Sequence, residues 1–281
     1  MILVTAATGT IGRPLVARLS ARGVPVRALT RTPATASFPD GVQVCGTAEP
    51  DLHQVDALVL NLAGVGGDPS ALLDAARAAG VRRIVTVSSL VVTEDGEETG
   101  EGSTAALHRE LEAAVEAAAP EWTHLRPGGF AANALQWVPQ LAAGDVVRGP
   151  HALARTSPVH EADLAAVAVR ALLGDELLGR TPRLTGPQVL TTAEQVAILG
   201  RVLGRPLRHE EISPEAALRG MLAANPWIPE QALASMLRYL GSTVGGDVPA
   251  TDEVRRILGR PARTFAEWAA DHADAFRPAG A

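Results

Sequence analysis

The sequence contains no lysine; all 25 basic residues are arginine. That absence excludes Schiff-base chemistry on a lysine and any phosphate-binding loop built on Gly-Lys-Ser/Thr. Tyrosine is nearly as scarce, Tyr239 standing alone. The single cysteine, Cys45, rules out a disulfide framework and fits a reducing cytoplasm. Histidines are scattered and no ligand spacing occurs, so no metal is expected. No Gly-x-Ser-x-Gly is present, which removes the usual serine-nucleophile elbow. No apolar run reaches the ~20 residues of a bilayer span, and strand-like residues begin at Ile2, leaving no room for a signal peptide. The net charge of −6 is spread without a basic tract, which argues against nucleic acid or an anionic membrane as partner. The expectation is a cytoplasmic protein, monomer or homodimer, with neither nucleic acid nor a membrane as partner.

What the chain does have is apolar residues, 47% of the total, enough for a sizeable core. In the first half, short β-branched runs alternate with Ala/Leu-rich helical stretches. Strands are expected over residues 2–5, 24–29, 42–45, 56–64, 81–89 and 122–127. Helices are expected over 13–23, 69–80 and 103–119. This alternation predicts an α/β fold, a doubly wound parallel sheet of Rossmann type. From about residue 144 the pattern loosens into helical pieces at 161–173, 192–203, 214–222, 229–240, 251–258 and 264–276. The division expected is a dinucleotide-binding domain over 1–150 and a smaller, mainly helical substrate cap over 151–281, with segments free to interleave.

The first strand runs straight into "TAATGTIG" and a helix. Such a turn delivers backbone amides and the positive helix end to a pyrophosphate. Gly9 and Gly12 fill two of the three glycine roles, close approach to phosphate and close helix–strand packing. Ala6 fills the third, the tight turn, and is tolerable there if its φ stays negative. The second strand ends in "ALTRTP". An NAD site puts a carboxylate there for the ribose 2′-hydroxyl; this chain has Arg31, whose fork of donors suits a 2′-phosphate, so NADP(H) is favoured. The plainer alternative is a solvated surface arginine.

The segments "ILVTAATGTIG", "VRALTRTP", "VRRIVTVSS", "HLRPGGFAANAL", "PVHEADLAAVA", "LTGPQVLTTAEQVAILGRVLGRP" and "LGRPARTFAEWAADHADAF" fall in order along the whole chain. On these the sequence resembles the NmrA-like branch of atypical short-chain dehydrogenases/reductases. The resemblance implies a Rossmann domain, NADPH and a small C-terminal substrate domain. It maps cofactor contacts onto Ala6, Thr8, Gly9, Thr10, Ile11, Gly12, Arg31, Ala63, Gly64, Ser88, Pro127, Gly128 and Phe130. Two departures stand out: Ala6 itself, and "CGTAEPDLHQVD", which lacks the Gly-Asp that often follows the third strand.

Ordinary members of the wider group use Tyr-x-x-x-Lys, which a lysine-free chain cannot do. At the matching helix stand His108 and Glu112, four residues apart on one face. His108 is a candidate proton donor, with Glu112 to orient it; the alternative is a helix-surface pair. Ser88 and Ser89 end the fifth strand, where a hydroxyl can hold a carboxamide or a substrate carbonyl, or cap a loop. Asn133, Trp137, His160, Met221, Trp227 and Tyr239 are candidates to line a substrate pocket, each also readable as core or, for His160, as a helix cap. The function expected is reduction of a small apolar carbonyl, quinone or conjugated aromatic compound by NADPH. The alternatives are a non-catalytic NADP(H) sensor and an epimerase or isomerase that retains its cofactor.

Overall fold

The computed structural model describes residues 1–48, 50–66, 68–92, 104–224 and 230–277. In chain order the elements are β1 (Ile2–Val4), α1 (Gly12–Ser20), β2 (Val26–Thr30), β3 (Gln43–Gly46), β4 (Ala57–Asn61), α2 (Ser70–Ala78), β5 (Arg83–Val87), α3 (Thr104–Ala118) and β6 (Glu121–Pro127). After them come α4 (Val138–Ala142), β7 (Val146–Gly149), β8 (Arg155–Thr156), α5 (Glu161–Leu173), β9 (Arg183–Leu184), β10 (Leu190–Thr191) and α6 (Thr192–Leu203). The last are β11 (Arg208–Glu211), α7 (Pro214–Ala224), α8 (Glu230–Ser242), α9 (Glu253–Leu258) and α10 (Phe265–Asp271).

These elements make two compact units. The first is Met1–Gly128, Glu161–Leu184 and Glu253–Pro261; the second is Gly129–His160, Thr185–Asp252 and Ala262–Ala281. The single boundary near residue 150 thus becomes five crossings of the chain. Helices α5 and α9, read from the sequence as parts of the cap, belong to the first unit.

The first unit holds a parallel sheet in the order β3-β2-β1-β4-β5-β6-β9, the doubly wound arrangement that the alternation implies. Ile2, Leu3 and Val4 of β1 are all buried, as a strand covered on both faces requires. On one face Leu3, Leu58, Leu60 and Ile84 meet Leu72, Leu73 and Ala76 of α2 and Leu111 and Val115 of α3. α1, whose Leu15, Val16 and Leu19 are buried, packs against α5. Arg83 ties α5 to the sheet. Its guanidinium donates to the carbonyls of Leu172 (3.1 Å) and Gly174 (2.9 Å) just where α5 ends, and to Glu121 (2.8 Å) and Asp175 (2.6 Å). Carbonyls left over at a helix end need such a donor.

The second unit is mainly helical, with two two-stranded sheets: β7 parallel to β11, and β8 antiparallel to β10. Its core gathers Trp137, Leu141, Val147, Val196, Leu199, Phe265, Trp268 and Phe276. Both α6 and α10 open with a capping box, Thr191 with Glu194 and Thr264 with Glu267. Among the described residues, no helix is long and apolar enough to cross a membrane.

Candidate cofactor and active site

The turn between β1 and α1 is closely packed. Gly9 N–H donates to the Ala6 carbonyl at 2.8 Å, and Ala7 N–H to the Leu29 carbonyl at 3.2 Å. A Cβ on Gly12 would overlap the Ala6 carbonyl oxygen and stand 2.7 Å from Ala7 Cα. Gly64, beyond the end of β4, is as confined: a Cβ there would overlap the Ala6 amide nitrogen and lie 2.9 Å from Thr5 Cβ. Glycine is required at both positions by space alone. Ala6 departs from the sequence reading. Its φ is +49°, in the left-handed region, so alanine here carries the strain that glycine would avoid. The Gly9 N–H bond to the Ala6 carbonyl closes the turn directly after this residue.

No side chain caps the start of α1 and its first turn carries no acid, so the chain itself leaves the positive helix end uncompensated. Gly9 and Thr10 are exposed there, Thr8 is half-buried, and Ile11 and Gly12 are buried. The Thr8 and Thr30 hydroxyls lie 3.4 Å apart, joining the turn to the end of β2. Arg31 follows Thr30 and is exposed. Arg13, which the sequence reading passed over, reaches from the first turn of α1 to the Ser37 carbonyl at 3.3 Å. At the end of β4, Asn61 N–H donates to Thr5 Oγ1 at 2.8 Å and Asn61 Oδ1 accepts from Ala63 N–H at 3.0 Å, leaving Ala63 exposed beside buried Gly64.

The carboxyl ends of β5 and β6 meet α3 in a buried polar cluster. Ser88, one residue beyond β5, is 4% exposed and donates its hydroxyl to Glu112 Oε1 at 2.6 Å. Arg126, the penultimate residue of β6, grips the same carboxylate with both sides of its fork, Nε to Oε1 at 2.9 Å and Nη2 to Oε2 at 2.7 Å. Burial pushes the Glu112 carboxyl up, but the bonds from Arg126 and Ser88 outweigh it and hold it below the ordinary glutamate range. Two residues back along β6, His124 shares the same face, stacks on Trp122 and lies 3.3 Å from Glu116. Sequence reasoning missed Arg126. The only signal was a charged residue inside a strand of a sheet covered on both sides.

His108 lies one turn before Glu112. The orienting hydrogen bond expected between them is not formed: the Glu112 oxygens are taken by Ser88 and Arg126, and His108 Nδ1 is buried without a partner. Burial lowers the His108 pKa and the Glu112 charge only partly offsets it, so the site favours the neutral ring. Ser89 is half-buried and accepts from Val91 N–H at 3.4 Å. Pro127 is buried and Gly128 N–H donates to the Leu184 carbonyl at 2.9 Å.

The remaining candidates belong to the second unit. Phe130 is half-buried and Asn133 is exposed on the turn of helix that follows. Trp137 is 7% exposed and sits in the core. His160 is buried, with Nε2 at 3.3 Å from Asp271, which also accepts from Arg263. Met221 on α7 is half-buried and Tyr239 on α8 is exposed. Trp227 lies outside the described residues. Among the described residues, no group of three His, Cys, Asp or Glu is placed to hold a metal.

Residues 6–175 match the family described as NAD(P)H-binding. Along 99% of its length the chain is 39% identical to a (4-alkanoyl-5-oxo-2,5-dihydrofuran-3-yl)methyl phosphate reductase of Streptomyces griseus subsp. griseus, covering 100% of that protein. It is 33% identical to the NAD(P)H azoreductase of Xenophilus azovorans, over 98% of this chain and 99% of the relative. Its fold is similar to that of an NADPH-dependent quinone oxidoreductase from Escherichia coli solved with NADPH, at TM-score 0.75 and 22% identity, over 96% of this chain and 99% of the other.

Proposed function

The chain belongs to the NAD(P)H-binding family, in the NmrA-like branch of atypical short-chain dehydrogenases/reductases, and on that footing we propose that it is an NADPH-dependent reductase of small, electron-poor, conjugated acceptors. The observation that carries this reading is the β1–α1 turn. Its backbone is packed so closely that Gly12 and Gly64 admit no side chain, and it opens onto an uncapped helix end. Those residues fit a dinucleotide: the amides of Thr10 to Gly12 would hold the pyrophosphate and Arg31 the 2′-phosphate, with Gly9, Ala63, Gly64, Pro127 and Gly128 lining the rest. NADPH, when bound, supplies the hydride.

The protein's own acid is weak. Burial disfavours the charged, proton-rich form of His108, and the Glu112 oxygens are engaged as acceptors by Ser88 and Arg126. The acceptor must therefore tolerate hydride with little help from an acid, as compounds do when they spread the incoming charge over conjugated oxygens or nitrogens. The relatives' substrates are of this kind. An alkanoyl-oxo-dihydrofuran carries a double bond conjugated with carbonyls, and an azo group is itself the electron-poor centre. Substrate recognition falls to the second unit, with Tyr239 and Met221 the first residues to test. The enzyme acts in the cytoplasm, as a monomer or homodimer; the lone cysteine and scattered charge support that placement.

The test is calorimetric titration with NADPH and NADH. NADPH should bind far more tightly, and Arg31→Ala should cost NADPH about 10- to 100-fold while leaving NADH nearly unchanged. Turnover is then sought with quinones, conjugated lactones and azo dyes. Failure to bind either nucleotide, or equal losses on Arg31→Ala, would overturn the cofactor assignment; binding without turnover would make the protein a sensor.

A further inference from the structure

On the reading that NADPH binds in the first unit, we propose that Ser88 accepts a hydrogen bond from the primary amide of the nicotinamide, and that Arg126 is the positioning residue that makes Ser88 an acceptor. The reasoning is a count of protons. A serine hydroxyl has one proton and two lone pairs, an ionised carboxylate only lone pairs, and a guanidinium only protons. Arg126 donates twice to Glu112, so Glu112 can only accept; Ser88 then has its single proton committed to Glu112 at 2.6 Å. Its backbone N–H is committed too, to the Leu125 carbonyl at 2.8 Å. What Ser88 has left to offer is lone pairs.

Any ligand group that meets Ser88 must therefore bring a proton. A quinone oxygen, a lactone carbonyl or an azo nitrogen brings none, whereas a primary amide brings two. Of the two roles open to this hydroxyl from the sequence, holding the carboxamide or polarising the substrate carbonyl, the hydrogen-bond direction selects the first. Ser88 is 4% exposed, so the bond would form out of water, where an unmatched partner is costly. Arg126 touches neither ligand in this scheme. It acts through Glu112, and the bidentate geometry is what a lysine could reproduce only in part.

The test compares binding of NADP+ with its 3-acetylpyridine analogue, in which a methyl ketone replaces the amide and no N–H remains. Wild type should prefer NADP+ by about five- to tenfold, the worth of one hydrogen bond. Ser88→Ala should erase that preference, Arg126→Met should erase it as well, and the double variant should go no further than Ser88→Ala alone. Arg126→Lys should keep part of it. Because removing one member of a buried pair can unfold a protein, Glu112→Leu/Arg126→Met, which removes both charges together, serves as the second variant and should also lose the preference. A merely structural Arg126 would weaken both nucleotides equally and leave their ratio untouched, overturning the positioning role. Equal binding of the two nucleotides by wild type, or a preference that survives Ser88→Ala, would overturn the role of Ser88. A wild type that binds neither nucleotide would overturn the cofactor reading itself and this inference with it.

Discussion

Replacing Ala6 by glycine should make the protein more stable, an unusual direction for a substitution in a nucleotide-binding turn. Ala6 holds φ +49°. An alanine in the left-handed region is about 1–2 kcal/mol worse than in the right-handed one, a penalty that glycine escapes. Against this, glycine makes the unfolded chain more flexible, which costs about 0.4–1 kcal/mol. The difference is a gain of about 0.5–1 kcal/mol, or a rise of roughly 1–3 °C in Tm for a chain of this size. Urea unfolding followed by far-UV circular dichroism is the assay, with three companions that separate backbone strain from space. Ala6→Val should lose about 1 kcal/mol more than wild type, because a β-branched residue tolerates positive φ least. Gly9→Ala should cost less than about 1 kcal/mol, since its Cβ would sit 3.1 Å from the Ala6 oxygen and a small shift relieves it. Gly12→Ala, whose Cβ has only backbone to push against, should cost about 3 kcal/mol or more. An Ala6→Gly variant less stable than wild type would refute the reasoning: the strain assigned to this φ would not exist.

Acid should weaken the fold in two stages. Burial lowers the pKa values of His108, His124 and His209 below 6.5, so the unfolded chain binds more protons there; stability is full above about 6.5 and falls as the pH drops through the lower folded values. Glu112, held below 4.5, adds a second loss as the pH falls further; urea midpoints between pH 7.5 and 3.5 read both, and His108→Asn should shrink only the first. Arg83→Met should destabilise by about 2–3 kcal/mol, leaving the carbonyls at the end of α5 without their donor; an unchanged urea midpoint would show that water replaces the arginine at no loss.

Much of the fold was legible because its signals are local. The residues of α5 and α6 are bounded at both ends in the sequence, α6 by the Thr191–Glu194 box and by Gly204. The short strands β7 to β11 were not legible. "RHEE" in β11 has no apolar alternation, and its pairing with β7 depends on a neighbour about sixty residues away. The membership of α5 and α9 in the first unit is a tertiary fact of the same kind: their apolar faces announce burial, not against what. At the site, the glycines' places were legible and the backbone angle of Ala6 was not, because φ leaves no trace in residue identity. His108 and Glu112 were paired by helical spacing, which knows nothing of a competitor from another strand. Arg126 won the carboxylate because two charge-assisted bonds outweigh a single bond from an imidazole.

The five crossings of the chain between its units have a consequence for anyone who wants to exchange modules. A reductase of this design cannot be recombined by a single splice. A cut near residue 150 would carry α5, β9 and α9 away with the donor, stripping the sheet of its last strand and Arg83 of its carbonyls. The second unit is better treated as two insertions and a tail, residues 129–160, 185–252 and 262–281, to be transplanted together or not at all. Selection on substrate range would meet the same constraint, favouring point changes within those segments over wholesale shuffling of blocks.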